Sequence, residues 1–180
     1  LLPRAEAMAA ARAVATRPRG PLWGIPFSVK DCNDVPEMPT TNGFPPTAYL
    51  AEGTGQAIAR LLEDGAICLG KTNMDQFGIG LVGMRTPYGA SSSPIDADFI
   101  SGGTSSGSAV TVALGQASFS IANAAAGSGR VPAAFCNIVG LKPSLGLVPT
   151  LGVVPACRSL DVVSVFALTV ADAAAVLDVI

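Results

Sequence analysis

Residues 101–130 contain the side chains that are best suited to nucleophilic chemistry. The segment reads SGGTSSGSAVTVALGQASFSIANAAAGSGR, and no charged residue lies between Asp98 and Arg130. Two turns rich in glycine and serine, at 102–108 and 127–129, bracket a run of small apolar residues. Glycine lets successive peptide N–H groups converge on a developing negative charge, and a neighbouring serine can supply a nucleophile. Each turn by itself also fits an ordinary surface turn, in which glycine and serine are common for conformational reasons.

The sequence contains no histidine. Ser-His-Asp and Cys-His catalysis, together with histidine-ligated metals, are therefore excluded within this chain. A nucleophilic serine would need another base, and lysine is the candidate. Lys30 directly follows the apolar stretch 24–29. There it can either reach the surface, as most lysines do, or stay partly buried, where desolvation lowers its pKa towards that of a working base.

The composition is that of a protein with a large core and a small charged surface. Of the 180 residues, 49% are hydrophobic and 13% are charged, and the net charge is -2. These values argue against disorder, and without a basic field we expect no nucleic-acid partner. The cysteines form no C-x-x-C pair, so we interpret them as reduced, mostly buried thiols of a cytoplasmic protein. They are Cys32, Cys68, Cys136 and Cys157.

The mean hydropathy is high for a protein without membrane spans. The best candidate span, 108–126, is interrupted by glycine, glutamine, asparagine and serine, and the segment 162–180 carries Asp172 and Asp178. Neither resembles a spanning helix, which needs about 20 predominantly apolar residues. We therefore expect no membrane partner. The first twenty residues mix arginine and glutamate into an alanine-rich helical pattern and do not resemble a signal peptide.

Helices and strands alternate along the chain with short connections, which predicts an α/β domain. The long irregular stretch 80–103 is of a kind that often carries function. Thr54 and Thr169 are predicted N-caps, and the segment 18–21 is predicted to end the first helix. We predict helices at 5–16, 55–64, 73–77, 108–114, 130–135 and 171–180. We predict strands at 24–29, 66–69, 117–121, 138–141 and 162–166.

Several motifs together resemble the amidase signature family of Ser-Ser-Lys hydrolases, in colinear order over nearly the whole chain. They are GIPFSVKD at 24–31, PTT at 39–41, GAICLGKTNMDQF at 65–77, SGGTSSGSA at 101–109, and AGSGRVPAAF with IVGLKPSLG at 126–146. Each motif is weak alone, and their combined specificity is high. Within the family, SGRVPAAF, NIVGLKP and VVPACRSLDVVSVFALT look most like allophanate hydrolase. They look less like the amidotransferase subunits that load glutamine amide nitrogen onto tRNA.

The resemblance implies a fold and a set of site residues. The fold is a mixed central β-sheet covered by helices on both faces. Ser128 matches the family nucleophile, Lys30 the base, and Thr104 the bridging serine that follows a cis peptide bond, with Ser105 as an alternative bridge. The oxyanion would be held by backbone N–H groups of Ala125, Ala126, Gly127 and Ser128. Supporting residues would be Ser105, Arg130 and Gly103.

The resemblance also implies a reaction and its partners. The substrate would be a small amide, allophanate, cleaved through an acyl-enzyme with release of ammonia. We expect no cofactor and no metal, and a homodimer is left open. Because the chain lacks an initiator methionine and is shorter than a full amidase domain, we expect residues 1–180 to be a single, incomplete catalytic domain.

Two departures from the family pattern keep other functions open. Thr104 stands where serine is usual, and Ala122-Asn123-Ala124 stand where the family usually reads Gly-Thr-Asp. The aspartate expected at 124 is therefore missing. One alternative is a catalytically impaired homologue that serves as a structural or partner-binding subunit. The other is an A-type subunit of a Glu-tRNA amidotransferase.

Overall fold

The computed structural model describes residues 1–17 and 19–180. Pro18, which the sequence pattern places at the end of the first helix, lies outside the described residues. The helices are α1 (Arg4–Val14), α2 (Gln56–Glu63), α3 (Ser106–Ala113), α4 (Val131–Phe135) and α5 (Val170–Val179). The strands are β1 (Pro26–Lys30), β2 (Ile67–Thr72), β3 (Phe119–Ala124), β4 (Val139–Leu141) and β5 (Val162–Ala167).

The strands form one mixed sheet in the order β2-β1-β3-β5-β4. β1 runs parallel to β2 and β3, whereas β5 runs antiparallel to β3 and β4. Parallel neighbours end at the same edge of a sheet, so the carboxyl ends of β1, β2 and β3 lie side by side. The mixed sheet predicted from the family resemblance is confirmed.

The two faces of the sheet differ because successive side chains of a strand point to opposite sides. Phe27 of β1 stacks on Phe119 of β3 with ring centroids 5.1 Å apart. This face packs against α2 and α5 in the main apolar core. On the other face, Ser28 makes hydrogen bonds with Thr111 of α3 and Ser120 of β3. A smaller apolar cluster joins α3 and α4 to this second face. Helices therefore cover both faces, as predicted.

Strand pairing extends two of the predicted strands at their carboxyl ends. β2 continues to Thr72 because its parallel ladder with β1 reaches the pair Lys30↔Thr72. β3 begins at Phe119 and continues to Ala124 because its antiparallel ladder with β5 reaches the pair Ala124↔Val162. The predicted strands at 66–69 and 117–121 are therefore too short at their carboxyl ends.

The helix predicted at 73–77 is wrong. Only a short 3-10 helix forms there, at Gln76–Gly78. Backbone groups of this segment have partners outside a helix: the Asn73 side chain accepts from Met74 N–H, and Asp75 N–H donates to Thr104 O. Such bonds compete with helix formation.

One of the two predicted helix caps forms. The cap predicted at Thr54 is wrong, because Gly55 is the N-cap of α2 and makes no side-chain cap. Thr169 does cap α5, since its side chain accepts a hydrogen bond from Asp172 N–H.

Across residues 1–17 and 19–180, no helix combines the length and the apolar character needed to cross a membrane. The longest, α1, has 11 residues and includes Glu6 and Arg12.

Candidate active site

Lys30, Thr104 and Ser128 meet at the edge of the sheet where the parallel strands end. Lys30 is the last residue of β1, and Ser128 lies in the turn between β3 and α4. Thr104 stands two residues before α3. The first turn of α3 lies against the end of β2, because Gly107 N–H donates to Asn73 O. The end of β1, the segment before α3 and the turn after β3 therefore place these three side chains together.

The three side chains form a continuous chain of hydrogen bonds. Lys30 Nζ lies 2.7 Å from Thr104 Oγ1, and Thr104 Oγ1 lies 2.8 Å from Ser128 Oγ. In this arrangement Lys30 donates to Thr104, which donates to Ser128. Hydroxyl groups rotate and can both donate and accept. The same contacts can therefore carry a proton in the opposite direction, from Ser128 towards Lys30.

Lys30 is fully buried, and the net effect of its surroundings is to lower the pKa of its amine. Desolvation lowers the pKa of Lys30 below its usual 10.5, and three nearby groups oppose that shift: Cys32 in its thiolate form, and the carboxylates of Asp75 and Asp161. The amine also lies 3.4 Å from the backbone carbonyl of Asn123. Of the two interpretations of Lys30 that the sequence left open, the structure shows the buried one.

The turn that follows β3 presents unpaired backbone amides beside Ser128. Within residues 1–17 and 19–180, the N–H groups of Ala125, Ala126, Gly127 and Ser128 have no backbone or side-chain acceptor. The exposed Arg130 donates from its guanidinium to Ala126 O at 2.6 Å, which ties the turn to the start of α4. Such a turn can hold an oxyanion, and that role of the turn stays a prediction.

Ser105 takes a different place from Thr104. Its hydroxyl donates to Asn123 O at 3.5 Å. Among the residues that the structure describes, Ser105 has no hydrogen bond with Lys30 or Ser128. The geometry therefore offers Thr104, and not Ser105, as the bridge between them.

Gly103 stands where no side chain fits. Its N–H donates to Leu81 O at 2.9 Å, and the Gly103–Thr104 peptide bond is cis. A Cβ at Gly103 would overlap the Asp75 carboxylate. Glycine at 103 therefore allows the backbone directly before the bridging residue to lie against a buried carboxylate.

Asp75 is a neighbour of the site that the sequence left unassigned. It is fully buried, and its carboxylate accepts from Gly83 N–H at 3.0 Å and Arg85 N–H at 2.8 Å. Its own N–H donates to Thr104 O at 3.1 Å. Asp75 thus joins the long loop 80–103 to the bridging residue. The sequence pointed to Asp75 only through its place in the motif at 65–77. A motif does not show which distant groups a carboxylate binds.

A buried hydroxyl near Ala124 has no hydrogen-bond partner among the described residues. Ser164 of β5 is fully buried, and its Oγ has no hydrogen-bond partner in the part of the chain that the structure describes. Ala124 and Ser164 both border Gly129, since a Cβ there would lie 3.2 Å from Ala124 Cβ and 2.9 Å from Ser164 Oγ. Ala124 and the Ser164 hydroxyl are therefore near neighbours across Gly129.

A sequence model of the family described as Amidase matches residues 2–180. The urea amidolyase of Saccharomyces cerevisiae is 49% identical over 153 residues, which cover 85% of this chain and 8% of that protein. The A-type subunit of glutamyl-tRNA(Gln) amidotransferase from Methanosarcina acetivorans is 41% identical over 162 residues, which cover 89% of this chain and 34% of that protein.

The fold is similar to that of Kluyveromyces lactis allophanate hydrolase, with a TM-score of 0.94 and 42% sequence identity. That alignment covers 99% of this chain and 30% of the other. The chain thus spans between 8% and 34% of the length of these three proteins.

Proposed function

The chain belongs to the amidase family, and we propose that it forms the catalytic part of an amidohydrolase that cleaves a C–N bond of allophanate. Its similarity to urea amidolyase and to allophanate hydrolase supports this substrate. The observation that carries the proposal is the buried path from Lys30 through Thr104 to Ser128, with contacts of 2.7 and 2.8 Å.

Acylation starts from the neutral amine of Lys30. Ser128 transfers its proton to Thr104 while Thr104 passes its own proton to Lys30 Nζ, and Ser128 Oγ bonds to the carbonyl carbon of the substrate. The carbonyl oxygen becomes negatively charged and turns towards the unpaired N–H groups of residues 125–128. Each well-placed donor stabilises this charge by about 3 kcal/mol.

Ammonia leaves when the proton returns along the same path. Lys30 gives its proton back through Thr104 to the leaving nitrogen as the C–N bond breaks. The amine is then neutral again and accepts a proton from the water that attacks the acyl-enzyme. Ser128 recovers its proton as the acyl group departs. From allophanate the product is N-carboxycarbamate, which decomposes to ammonia and carbon dioxide.

Ammonia release by the full chain tests the substrate. We expect faster release from allophanate than from acetamide or glutamine. The exposed Arg130 guanidinium lies beside the turn at 125–128, and its positive charge favours an anionic amide over neutral acetamide. Equal rates on allophanate and acetamide would contradict the substrate assignment, and release that requires added amidotransferase subunits and glutamine would favour the tRNA amidotransferase alternative.

A catalytically impaired homologue that plays a structural or partner-binding role is the second candidate. The observation in its favour is Ala124 with the unpartnered hydroxyl of Ser164 beside it. A fluorophosphonate separates the two candidates, because covalent labelling of Ser128 requires an activated hydroxyl. A folded chain that is not labelled would support the second candidate.

Combining Thr104→Ser with Ala124→Asp is expected to raise turnover. Serine removes the methyl group that restricts χ1 at a buried position, and aspartate supplies an acceptor for Ser164 next to the oxyanion turn. We expect kcat for ammonia release from allophanate to rise roughly tenfold, which corresponds to about 1.4 kcal/mol in the barrier.

The matched control adds Ser164→Ala to this double variant. Without the donor at 164, the part of the gain that comes from Ala124→Asp should disappear. An unchanged kcat in the double variant, with circular dichroism showing an intact fold, would mean that neither position limits activity.

A further inference from the structure

We propose that Cys32 and Asn123 form a positioning pair that aims the Lys30 amine at Thr104. The inference rests on the proposed function of Lys30 as the base. It concerns two residues to which the motif resemblance assigns no role, one of which departs from the usual family pattern.

Asn123 connects the thiol of Cys32 to the amine of Lys30. The Cys32 thiol donates to Asn123 Oδ1 at 3.1 Å. The backbone carbonyl of the same asparagine accepts from Lys30 Nζ at 3.4 Å and from Ser105 Oγ at 3.5 Å. Cys32 is fully buried and Asn123 is 3% exposed, so water does not compete for these bonds. Fixing the side chain of Asn123 therefore also fixes the carbonyl that contacts Lys30.

The pair ties two strands together beyond the end of their ladder. β1 and β3 are in parallel register from Phe27↔Phe119 to Val29↔Ile121, and the ladder ends there. Lys30 is the next residue of β1, and Asn123 lies two residues beyond Ile121 in β3. At this level the Cys32–Asn123 hydrogen bond takes the place of a ladder pair between the strands. The separation of Lys30 from the end of β3 thus depends on that bond.

A base needs its lone pair directed at the proton that it accepts. A neutral lysine amine has one lone pair and two N–H groups. When the Asn123 carbonyl accepts one N–H, rotation of the amine is restricted and its lone pair can stay directed at Thr104. The thiol is suited to hold the asparagine, because burial raises the pKa of Cys32 to about 11 and leaves the S–H in place near neutral pH.

Breaking the Cys32–Asn123 hydrogen bond should change the pKa of Lys30, whereas loss of a contact that only stabilises the fold should not. A carbonyl that accepts from a lysine N–H favours the charged form, so its withdrawal lowers the pKa of Lys30 further. The charged and titratable groups that act on Lys30 are Cys32, Asp75 and Asp161. Because the Cys32 thiol is neutral near pH 7, replacing it with alanine removes a hydrogen bond there and no charge.

The titration of Lys30 can be followed by NMR on the full chain labelled with ¹³Cε-lysine. The sequence contains only three lysines, Lys30, Lys71 and Lys142, so Lys30→Met identifies the signal. We expect Cys32→Ala to move the Lys30 titration to lower pH by about half a unit. We also expect kcat for ammonia release to fall roughly tenfold with KM unchanged, because the pair acts on the orientation of the Lys30 amine.

Two matched variants separate this role from the loss of a buried thiol. Cys32→Ser keeps a donor for Asn123, and we expect it to retain both the Lys30 titration and kcat. Cys136→Ala removes another buried thiol, whose hydrogen bond goes to Ser101 O at 3.6 Å, and we expect it to change neither quantity. If Cys32→Ala does not fold, Asn123→Leu removes the acceptor at similar volume and serves the same test.

An unchanged Lys30 titration in Cys32→Ala, or an equal shift in Cys136→Ala, would overturn the inference. The NMR measurement needs no turnover, so it also separates this inference from the proposed function. A chain that releases no ammonia but shows the Lys30 shift in Cys32→Ala would support the pair and count against the proposed reaction.

Discussion

Ser128→Ala is expected to abolish fluorophosphonate labelling and to lower kcat for allophanate hydrolysis by about 10³-fold or more. Ser128 is the only hydroxyl among the described residues that Thr104 connects to Lys30. Alanine removes the atom that attacks and leaves Thr104 without its acceptor. Ser128 is small and lies in a turn, so the fold should survive. Intact-mass measurement after labelling and ammonia release from allophanate check the two expectations.

Ser101→Ala is the matched control for Ser128→Ala. Its hydroxyl is also buried, lies on the segment that leads to Thr104, and donates to Gly102 O at 3.2 Å. Because this bond stays within the loop, the variant should label normally and keep kcat within about tenfold. Labelling that persists in Ser128→Ala would show that another side chain is the nucleophile.

Lys30→Met is expected to lower kcat by about 10²- to 10⁴-fold, the usual contribution of a general base. The neutral amine is the active form, so kcat/KM of the unmodified chain should rise as pH increases through the pKa of Lys30. Desolvation lowers that pKa from 10.5, and the rise therefore falls below pH 10.5. Methionine accepts no proton, so the variant should lack this rise in a pH profile of ammonia release.

Lys30→Met should also change how the free energy of unfolding depends on pH. In the unfolded chain Lys30 titrates at 10.5, and in the folded chain burial lowers its pKa. Between these two pKa values the unfolded state binds more protons, so the free energy of unfolding increases with pH. Below the folded pKa this contribution is absent. Lys30→Met should lose the increase, measured by urea denaturation at several pH values.

Lys30 also lowers the pKa of Cys32, so the comparison with the unmodified chain reports Lys30 together with its effect on that thiol. Lys142→Met is the control, at a partly exposed lysine that follows β4. It should keep both the rise in kcat/KM and the increase in stability. Parallel stability curves for Lys30→Met and the unmodified chain would contradict the assignment of Lys30 as a buried amine with a lowered pKa.

The residue content predicted the kind of chemistry, and the pattern along the chain indicated the class of fold. With no histidine in the chain, a serine nucleophile leaves lysine as the base, and the glycine-rich turns at 102–108 and 127–129 predict converging backbone donors. The alternation of helical and strand patterns indicated an α/β domain. This was possible because consecutive residues carry the pattern of each helix or strand. The ends of strands were less predictable. β2 and β3 end where their partner strands stop pairing, and the local sequence does not identify those partners.

The three-dimensional arrangement alone shows that Lys30 is buried, that Thr104 and not Ser105 contacts it, and that Asn123 supplies a second contact. Lys30 and Thr104 are 74 positions apart in the sequence, and Thr104 and Ser128 are 24 apart. They meet because β1 and β3 are parallel neighbours and α3 begins at the end of β2. Desolvation and hydrogen bonding depend on distances in space, so the state of the amine follows from that assembly rather than from the residues beside it in the chain.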